Sequence, residues 1–301
     1  MTEERPRRSP GTVWNDFFYA SFDLRWAAVI RIAFASLVLV NMAILGLDLG
    51  LWFGPDGVMP LDASRTIIDS SSHTVFELLP DTDTTVRVCF VLSILHASAL
   101  LAGWYPRVQA FAVFFWLLAF QNRHIMIFDG EDQLFRLMAF FLVFVPTHEH
   151  FSVHTLLRRA SGPVTGHAWG LRFVQIQVTL VYFGTAVAKL RGVEWRDGTA
   201  LYYVARLDDA FGRFPLPDAP FESLAAIKIL TWSTLALELA LPVALWLRPT
   251  RLIAVVIAAL FHVGLDYTMN LFLFHPLMLV CLLAFVAGPR RCVCPRSCTK
   301  T

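Results

Sequence analysis

Eight long apolar stretches dominate the 301-residue sequence and restrict what it can fold into. A run of about 20 apolar residues lets a helix cross the hydrocarbon core of a bilayer. The stretches fall at about residues 26–47, 86–104, 108–128, 134–146, 169–188, 223–247, 252–271 and 273–287, the fourth and eighth being short. With 56% apolar and 16% charged residues, the sequence predicts an all-α, polytopic bundle of about eight transmembrane helices and excludes a soluble enzyme.

Polar segments divide the chain into three parts. We predict an N-terminal segment over residues 1–25, a membrane domain over 26–288 and a tail with Cys and Arg over 289–301. Lys and Arg concentrate in segments on one side of the predicted bundle, together with both termini, whereas the long connections at about 48–85 and 189–222 are acidic. Because short loops rich in Lys and Arg stay in the cytoplasm, we expect a multi-pass cell-membrane protein with both termini cytoplasmic.

Nucleic-acid binding and metal binding find little support. Basic residues are scattered singly or in pairs instead of forming a basic face. A group of histidines around Glu149 is interpreted as a solvated turn next to the membrane, and the tail cysteines give a weak zinc pattern or sites for S-acylation. We therefore predict no metal site. The histidines of this group are His148, His150 and His154, and the tail cysteines are Cys292, Cys294 and Cys298.

Lys189 is the most informative charged residue, because it lies at the end of the fifth apolar stretch. A charge at membrane depth costs about 2.5 to 3.5 kcal/mol on insertion scales, so it needs a partner or a role. One interpretation is that its stem stays in lipid and its ammonium reaches the headgroups. The other is a desolvated amine that acts as a base near neutral pH.

Other polar residues favour the same side of the bundle. Asn122 and His124 end the third stretch, and Glu238 lies in the middle of the sixth. In the seventh, His262 and Asp266 are four residues apart and therefore share a helix face. Their pairing is either a structural hydrogen bond between helices or a carboxylate that orients an imidazole for proton transfer or ligand binding.

Several segments resemble one protein family. The stretch from Val181 to Leu190, VYFGTAVAKL, followed by Glu194-Trp195 and Asp197-Gly198, is similar to the Tyr-Phe-x-Ala-Gly-x-x-Lys-Leu-x-x-x-Trp-x-x-Gly stretch of the vitamin K-dependent gamma-carboxylases. It also resembles their bacterial relatives, the "horizontally transferred transmembrane domain" (HTTM) proteins. Further similar segments lie at residues 53–60, 122–134 and 268–270, and the resemblance runs from about Trp14 to Gly288.

This resemblance implies a specific chemistry. The position matching the carboxylase base is Lys189, which would deprotonate reduced vitamin K or menaquinol so that the anion reacts with O2. The strong base formed then removes a proton from a substrate Glu, and CO2 adds to the carbanion. His124 is expected to act with Lys189 in catalysis. The expected quinol-binding residues are Asn122, Tyr182, Trp195, His262 and Asp266.

The resemblance also sets expectations for partners. The animal carboxylases carry a large lumenal domain after the membrane bundle, whereas this chain ends soon after its last predicted span. We therefore expect, besides membrane lipid, a secreted peptide or protein client and a second subunit that supplies an outer domain. The alternative function is a non-catalytic membrane partner for maturation or export of a secreted peptide.

Overall fold

The computed structural model describes residues 9–67, 73–160, 162–207 and 212–288. Eight helices follow the eight apolar stretches, and we label them α1 to α8 in chain order. They are α1 Leu24–Leu47, α2 Asp83–Ala102, α3 Pro106–Arg123, α4 Gly130–Leu142, α5 Gly170–Arg191, α6 Leu224–Trp246, α7 Arg251–Thr268 and α8 Phe274–Val286. The predicted all-α membrane fold is confirmed.

Not all eight helices are long enough to span a bilayer alone. In the described ranges, five helices have the length and composition to do so, namely α1, α2, α5, α6 and α7. Helices α4 and α8 have 13 residues each and so measure about 20 Å, against about 30 Å of hydrocarbon. The count of eight spans stays a prediction.

Short elements fill the connections. The short α-helices are Pro10–Phe18, Leu49–Phe53, Leu61–Ile67, Val153–Arg158, Val193–Asp197, Ala200–Val204 and Ala219–Glu222, and the 3-10 turns are Val75–Leu78 and Ile125–Ile127. Strands β1 (Ser21–Asp23) and β2 (Thr165–His167) pair in antiparallel fashion. The tail at 289–301 lies outside the described residues.

Local sequence signals explain where the helices begin and end. The Thr82 hydroxyl accepts the Thr85 backbone N–H and so caps the start of α2. Gly103 ends that helix with a φ of +72°, in the left-handed region that glycine adopts without strain. A reciprocal capping box between Asp129 and Asp132 starts α4. Part of the polar sequence before the fourth stretch therefore caps a helix.

Helix α8 occupies the middle of the bundle. It packs against α7, α1, α5 and α4, and buried side chains lie all around it, from Leu277 to Phe285. A helix that is apolar on every side is stable only where other helices surround it. Burial among neighbours thus explains why such a short apolar helix is ordered, and it places His275, in the first turn of α8, next to α7.

Backbone hydrogen bonds bring the start of α1 and the end of α8 together at one face of the bundle. The Asp23 N–H donates to the Ala287 carbonyl (3.2 Å), and the Leu24 N–H donates to the Val164 carbonyl (2.8 Å). The start of α1, the start of α5 and the end of α8 therefore share a face, which we call the terminal face. Helix α5 runs from it to the opposite face, where Lys189 lies in the last turn.

The membrane orientation of these faces is open to a direct test. We expect a cysteine at exposed Arg206, between α5 and α6, to react with a membrane-impermeant maleimide in intact cells. A cysteine at exposed Arg159, on the terminal face, should react only after lysis. The unmodified chain gives the background from its own cysteines. Labelling of the Arg159 position alone in intact cells would reverse the predicted orientation.

Candidate functional site

A cavity of about 560 Å³ lies between α5, α6, α7 and the start of α8. Most of its wall is apolar, and its polar groups come from a few side chains on facing helices. Residues after α5 and before α6 complete the wall. The lining residues include Tyr182, Thr185, Lys189, Trp195, Leu216, Phe221, Glu238, His262, Gly264 and His275.

A buried ion pair crosses the cavity. The Lys189 ammonium on α5 donates to the Glu238 carboxylate on α6. The Glu238 side chain is 5% exposed and that of Lys189 25%, and Thr185 also lies 3.5 Å from the second Glu238 oxygen. The Lys189 ammonium further lies 5.0 Å from the centre of the Trp195 ring, within the range of a cation–π interaction.

This pair bears on the two interpretations of Lys189. Side chains on a helix tilt toward its N-terminus, and for α5 that direction points into the bundle. The ammonium accordingly lies at a carboxylate in the cavity wall. Lys189 is thus a partly buried amine with one defined ion-pair partner, which favours the interpretation as a desolvated amine.

Pro242 shapes the helix at the ion pair. Proline has no backbone N–H, so it cannot donate to the carbonyl of the residue four positions earlier, which here is Glu238. The charged side chain of Glu238 and a carbonyl that lacks its usual helical donor thus occur at the same level of α6. Irregular backbone is tolerated at membrane depth where protein or a cavity covers it.

A second polar group lies deeper in the same cavity. The Tyr182 hydroxyl lies 2.8 Å from His262 Nε2, and His262 Nδ1 lies 3.1 Å from His275 Nδ1. Tyr182 and Lys189 are seven residues apart on α5, hence on one face and about 10 Å apart along the axis. The polar groups of the cavity therefore occupy two levels of α5, with Thr185 between them.

The hydrogen-bond chain can run in either direction. Neutral imidazole donates from one nitrogen and accepts at the other. A proton shift along Tyr182, His262 and His275 therefore switches the last atom of the hydrogen-bond chain, His275 Nε2, between donor and acceptor. That atom is buried and has no hydrogen-bond partner among the described residues. The residue His275 itself lines the cavity.

Asp266 does not orient His262, which corrects one of the sequence interpretations. Both ring nitrogens of His262 are taken by Tyr182 and His275. Asp266 Oδ2 instead lies 3.3 Å from Arg213 Nη1, and Arg213 also donates to the Asn270 side chain (2.8 Å). The connection before α6 is thus fastened to the end of α7, beside the cavity residues Leu216 and Phe221.

Asn122 and His124 lie outside the cavity. The Asn122 amide donates to the His73 carbonyl (2.8 Å). His124 is buried with its ring 6.0 Å from those of Trp52 and Phe53, and its two nitrogens have no partner in the described part of the chain. The structure brings together Lys189, Tyr182, Trp195 and His262 of the predicted site, but neither Asn122 nor His124 lines their cavity.

The acidic residues just after Lys189 are not its partners. Asp197 accepts hydrogen bonds from the Thr199 hydroxyl (2.6 Å) and backbone N–H (3.0 Å), and these bonds hold the pKa of Asp197 below its ordinary value. The partner is Glu238, 49 residues away in sequence. Sequence reasoning noticed Glu238 as a mid-span charge but did not assign it to the site. The signal was the need of each buried charge for an opposite one.

Comparison with known proteins gives one family and distant relatives. The HTTM domain family model matches residues 19–288. The chain is 29% identical over 182 residues to "Uncharacterized protein YitO" of Bacillus subtilis, covering 58% of this chain and 57% of that protein. It is 26% identical over 185 residues to the same organism's "Sporulation-delaying protein SdpB", covering 57% and 55%. The chain thus matches little more than half the length of these curated relatives. No solved structure matches.

Proposed function

The chain belongs to the HTTM domain family, and from this membership and the cavity chemistry we propose that it binds a lipid-soluble quinol and uses Lys189 in removing a proton from it. The observation that carries the proposal is the Lys189–Glu238 ion pair in the cavity wall. A pair of opposite charges inside an apolar cavity is costly to keep. An acid–base role gives a reason for its presence.

The shape and polarity of the cavity suit an amphiphilic aromatic ligand. Its volume of about 560 Å³ lies within the range of small-molecule sites, which are mostly apolar with a few fixed polar groups. One hydroxyl of a quinol at the Lys189 level would have a charged partner. The aromatic ring would contact apolar wall, with the Tyr182–His262 hydrogen-bonded pair deeper in the cavity.

The ion pair solves the problem of how a lysine accepts a proton. An ammonium has no free lone pair, but Lys189 can pass its proton to the Glu238 carboxylate, with which it is already hydrogen-bonded. The neutral amine then takes the proton of the quinol hydroxyl. The balance is one quinol proton moved onto Glu238, leaving a quinol anion beside a positively charged Lys189. That charge stabilises the anion.

Carboxylation is the further step that the family resemblance suggests. In that reaction a quinol, O2, CO2 and a glutamyl side chain become quinone epoxide, water and gamma-carboxyglutamate, so O2 supplies the epoxide oxygen and the oxygen of the water. The client and any second subunit remain proposals. If the chain instead helps to mature or export a secreted peptide without turnover, no epoxide forms with any quinol.

Filling the cavity tests the binding step. Gly264 lines the cavity and has no atom within 4 Å of an added Cβ, so Gly264→Leu should place a side chain in the ligand volume. We expect it to weaken menaquinone binding at least about tenfold, which corresponds to roughly 1.4 kcal/mol of binding free energy. Binding is measured by the quenching of tryptophan fluorescence in detergent or nanodiscs.

Gly184 supplies a matched control for that substitution. It is also an exposed helical glycine with nothing within 4 Å of an added Cβ, but it does not line the cavity. Gly184→Leu should bind menaquinone like the unmodified protein. Equal affinity in both variants would place the quinone elsewhere. No saturable binding to the unmodified protein, and no epoxide from menaquinol and O2, would reject the proposed function.

A further inference from the structure

A second cavity on the terminal face combines positive charge with apolar surface. It has a volume of about 440 Å³ and lies between the α2–α3 turn and the helix Val153–Arg158. The turn contributes Trp104 and Tyr105, and the start of α3 contributes Arg107. The other wall contributes His148 and His154 as hydrogen-bonding groups. Val108 and Leu157 are among its apolar residues. None of these residues belongs to the quinol cavity.

The charge around this cavity is mostly unbalanced. Arg107, Arg158 and Arg159 are exposed, and no carboxylate forms an ion pair with them within residues 9–67, 73–160, 162–207 and 212–288. The nearby acid, Glu149, lies 2.9 Å from His148 Nε2. Burial lowers the pKa of His148; Glu149 opposes this, and the charges of Arg107, His154 and Arg158 lower it further. Arg107, His154 and Arg158 therefore all lie close to His148.

The apolar residues beside the charges are unusually exposed. Trp104 is 54% exposed and Tyr105 70%, and such amphipathic rings concentrate at the level of lipid headgroups. Leu156 and Leu157 on the short helix are 76% and 80% exposed, next to the two arginines that follow them. Exposed apolar side chains beside cations match a molecule with a charged head and a hydrocarbon chain.

We propose that this cavity binds an anionic membrane phospholipid, with its phosphate at Arg107 and an acyl chain along Trp104 and Leu157. The location favours a lipid, because the α2–α3 turn directly follows α2, one of the helices long and apolar enough to cross a membrane. His154 and the donor nitrogens of Arg107 supply hydrogen bonds to phosphate oxygens. Basic pockets between membrane helices are known to hold such headgroups.

Quenching of Trp104 measures this contact. In nanodiscs of phosphatidylcholine, a small fraction of dibrominated phosphatidylglycerol should quench the fluorescence attributed to Trp104, obtained as the difference between the unmodified protein and Trp104→Phe. Dibrominated phosphatidylcholine at the same fraction should quench it less. Arg107→Gln should reduce the preference for phosphatidylglycerol about fivefold, the effect of about one basic residue near an anionic surface.

Arg248→Gln is the control, because Arg248 is an exposed arginine in the α6–α7 turn, outside the cavity. It should leave the preference unchanged, and both variants should melt at the temperature of the unmodified protein. Equal quenching by the two brominated lipids would overturn the proposal. So would an equal loss in Arg248→Gln, which indicates a general basic surface, or removal of the preference by millimolar inorganic phosphate, which indicates a free anion site.

Discussion

Replacing Lys189 with methionine is expected to reduce epoxide formation from menaquinol and O2 by at least about 100-fold, the usual contribution of a positioned acid–base group. It should also destabilise the protein by about 3 to 5 kcal/mol, because Glu238 then remains buried as an unpaired charge. Glu238→Leu should show both effects for the reciprocal reason. With a single substitution, a loss of catalysis therefore cannot be distinguished from a loss of folded protein.

The double variant Lys189→Met, Glu238→Leu separates the two effects. With both charges replaced by apolar side chains, stability should return to within about 1 kcal/mol of the unmodified protein, since buried ion pairs contribute little net stability. Epoxide formation should stay absent. Unfolding by denaturant and product analysis on the four proteins form a double-mutant cycle, and an interaction energy near zero would show that the pair does not form in the membrane.

Lys228→Met is the matched control for the lysine. Lys228 also lies over a tryptophan, with its ammonium 5.9 Å from the centre of the Trp232 ring, but it does not line the cavity. Lys228→Met should change the free energy of unfolding by no more than about 0.5 kcal/mol. It should leave product formation unchanged. Full activity in the double variant would remove both Lys189 and Glu238 from the mechanism.

The architecture was predictable because hydropathy reports directly on membrane helices. Each apolar stretch contains a helix, and the long connections fall where polar residues concentrate. What hydropathy could not predict is the position of the helix ends: α4 extends from Gly130 to Leu142, four residues earlier than the apolar stretch at 134–146. Helix positions that contact other helices and helix positions that contact lipid are both apolar. The sequence pattern therefore does not distinguish the two environments.

The sequence predicted several of the residues that line the cavity but not the contacts between them. Tyr182 and Lys189 fall on one face of α5 by their spacing, and both line the cavity. Contacts between helices depend on which faces meet, and a single sequence does not record that. For this reason the prediction paired His262 with Asp266 on its own helix, whereas its partners are on α5 and α8. Glu238 was missed as a site residue for the same reason.

Arg123 is expected to stabilise the α1–α2 connection, and Arg123→Met should lower the free energy of unfolding by about 3 to 5 kcal/mol. Its side chain is 1% exposed. The guanidinium donates twice to the Phe53 carbonyl, at 3.0 and 2.6 Å, and to Asp81 at 2.9 Å, and it lies 5.0 Å from the centre of the Phe76 ring. Methionine leaves a buried carbonyl and a carboxylate without these donors.

The Arg123 substitution also tests whether the Asn122–His124 segment belongs to the quinol site. Because these residues lie outside the cavity, Arg123→Met should make residues 54–82 more sensitive to protease while the folded fraction still binds menaquinone normally. Arg196→Met, at an exposed arginine, is the control and should change neither property. Lost quinone binding in a protein that stays fully folded would instead mean that the connection and His124 move to the cavity when the ligand binds, as the carboxylase resemblance implies for that histidine.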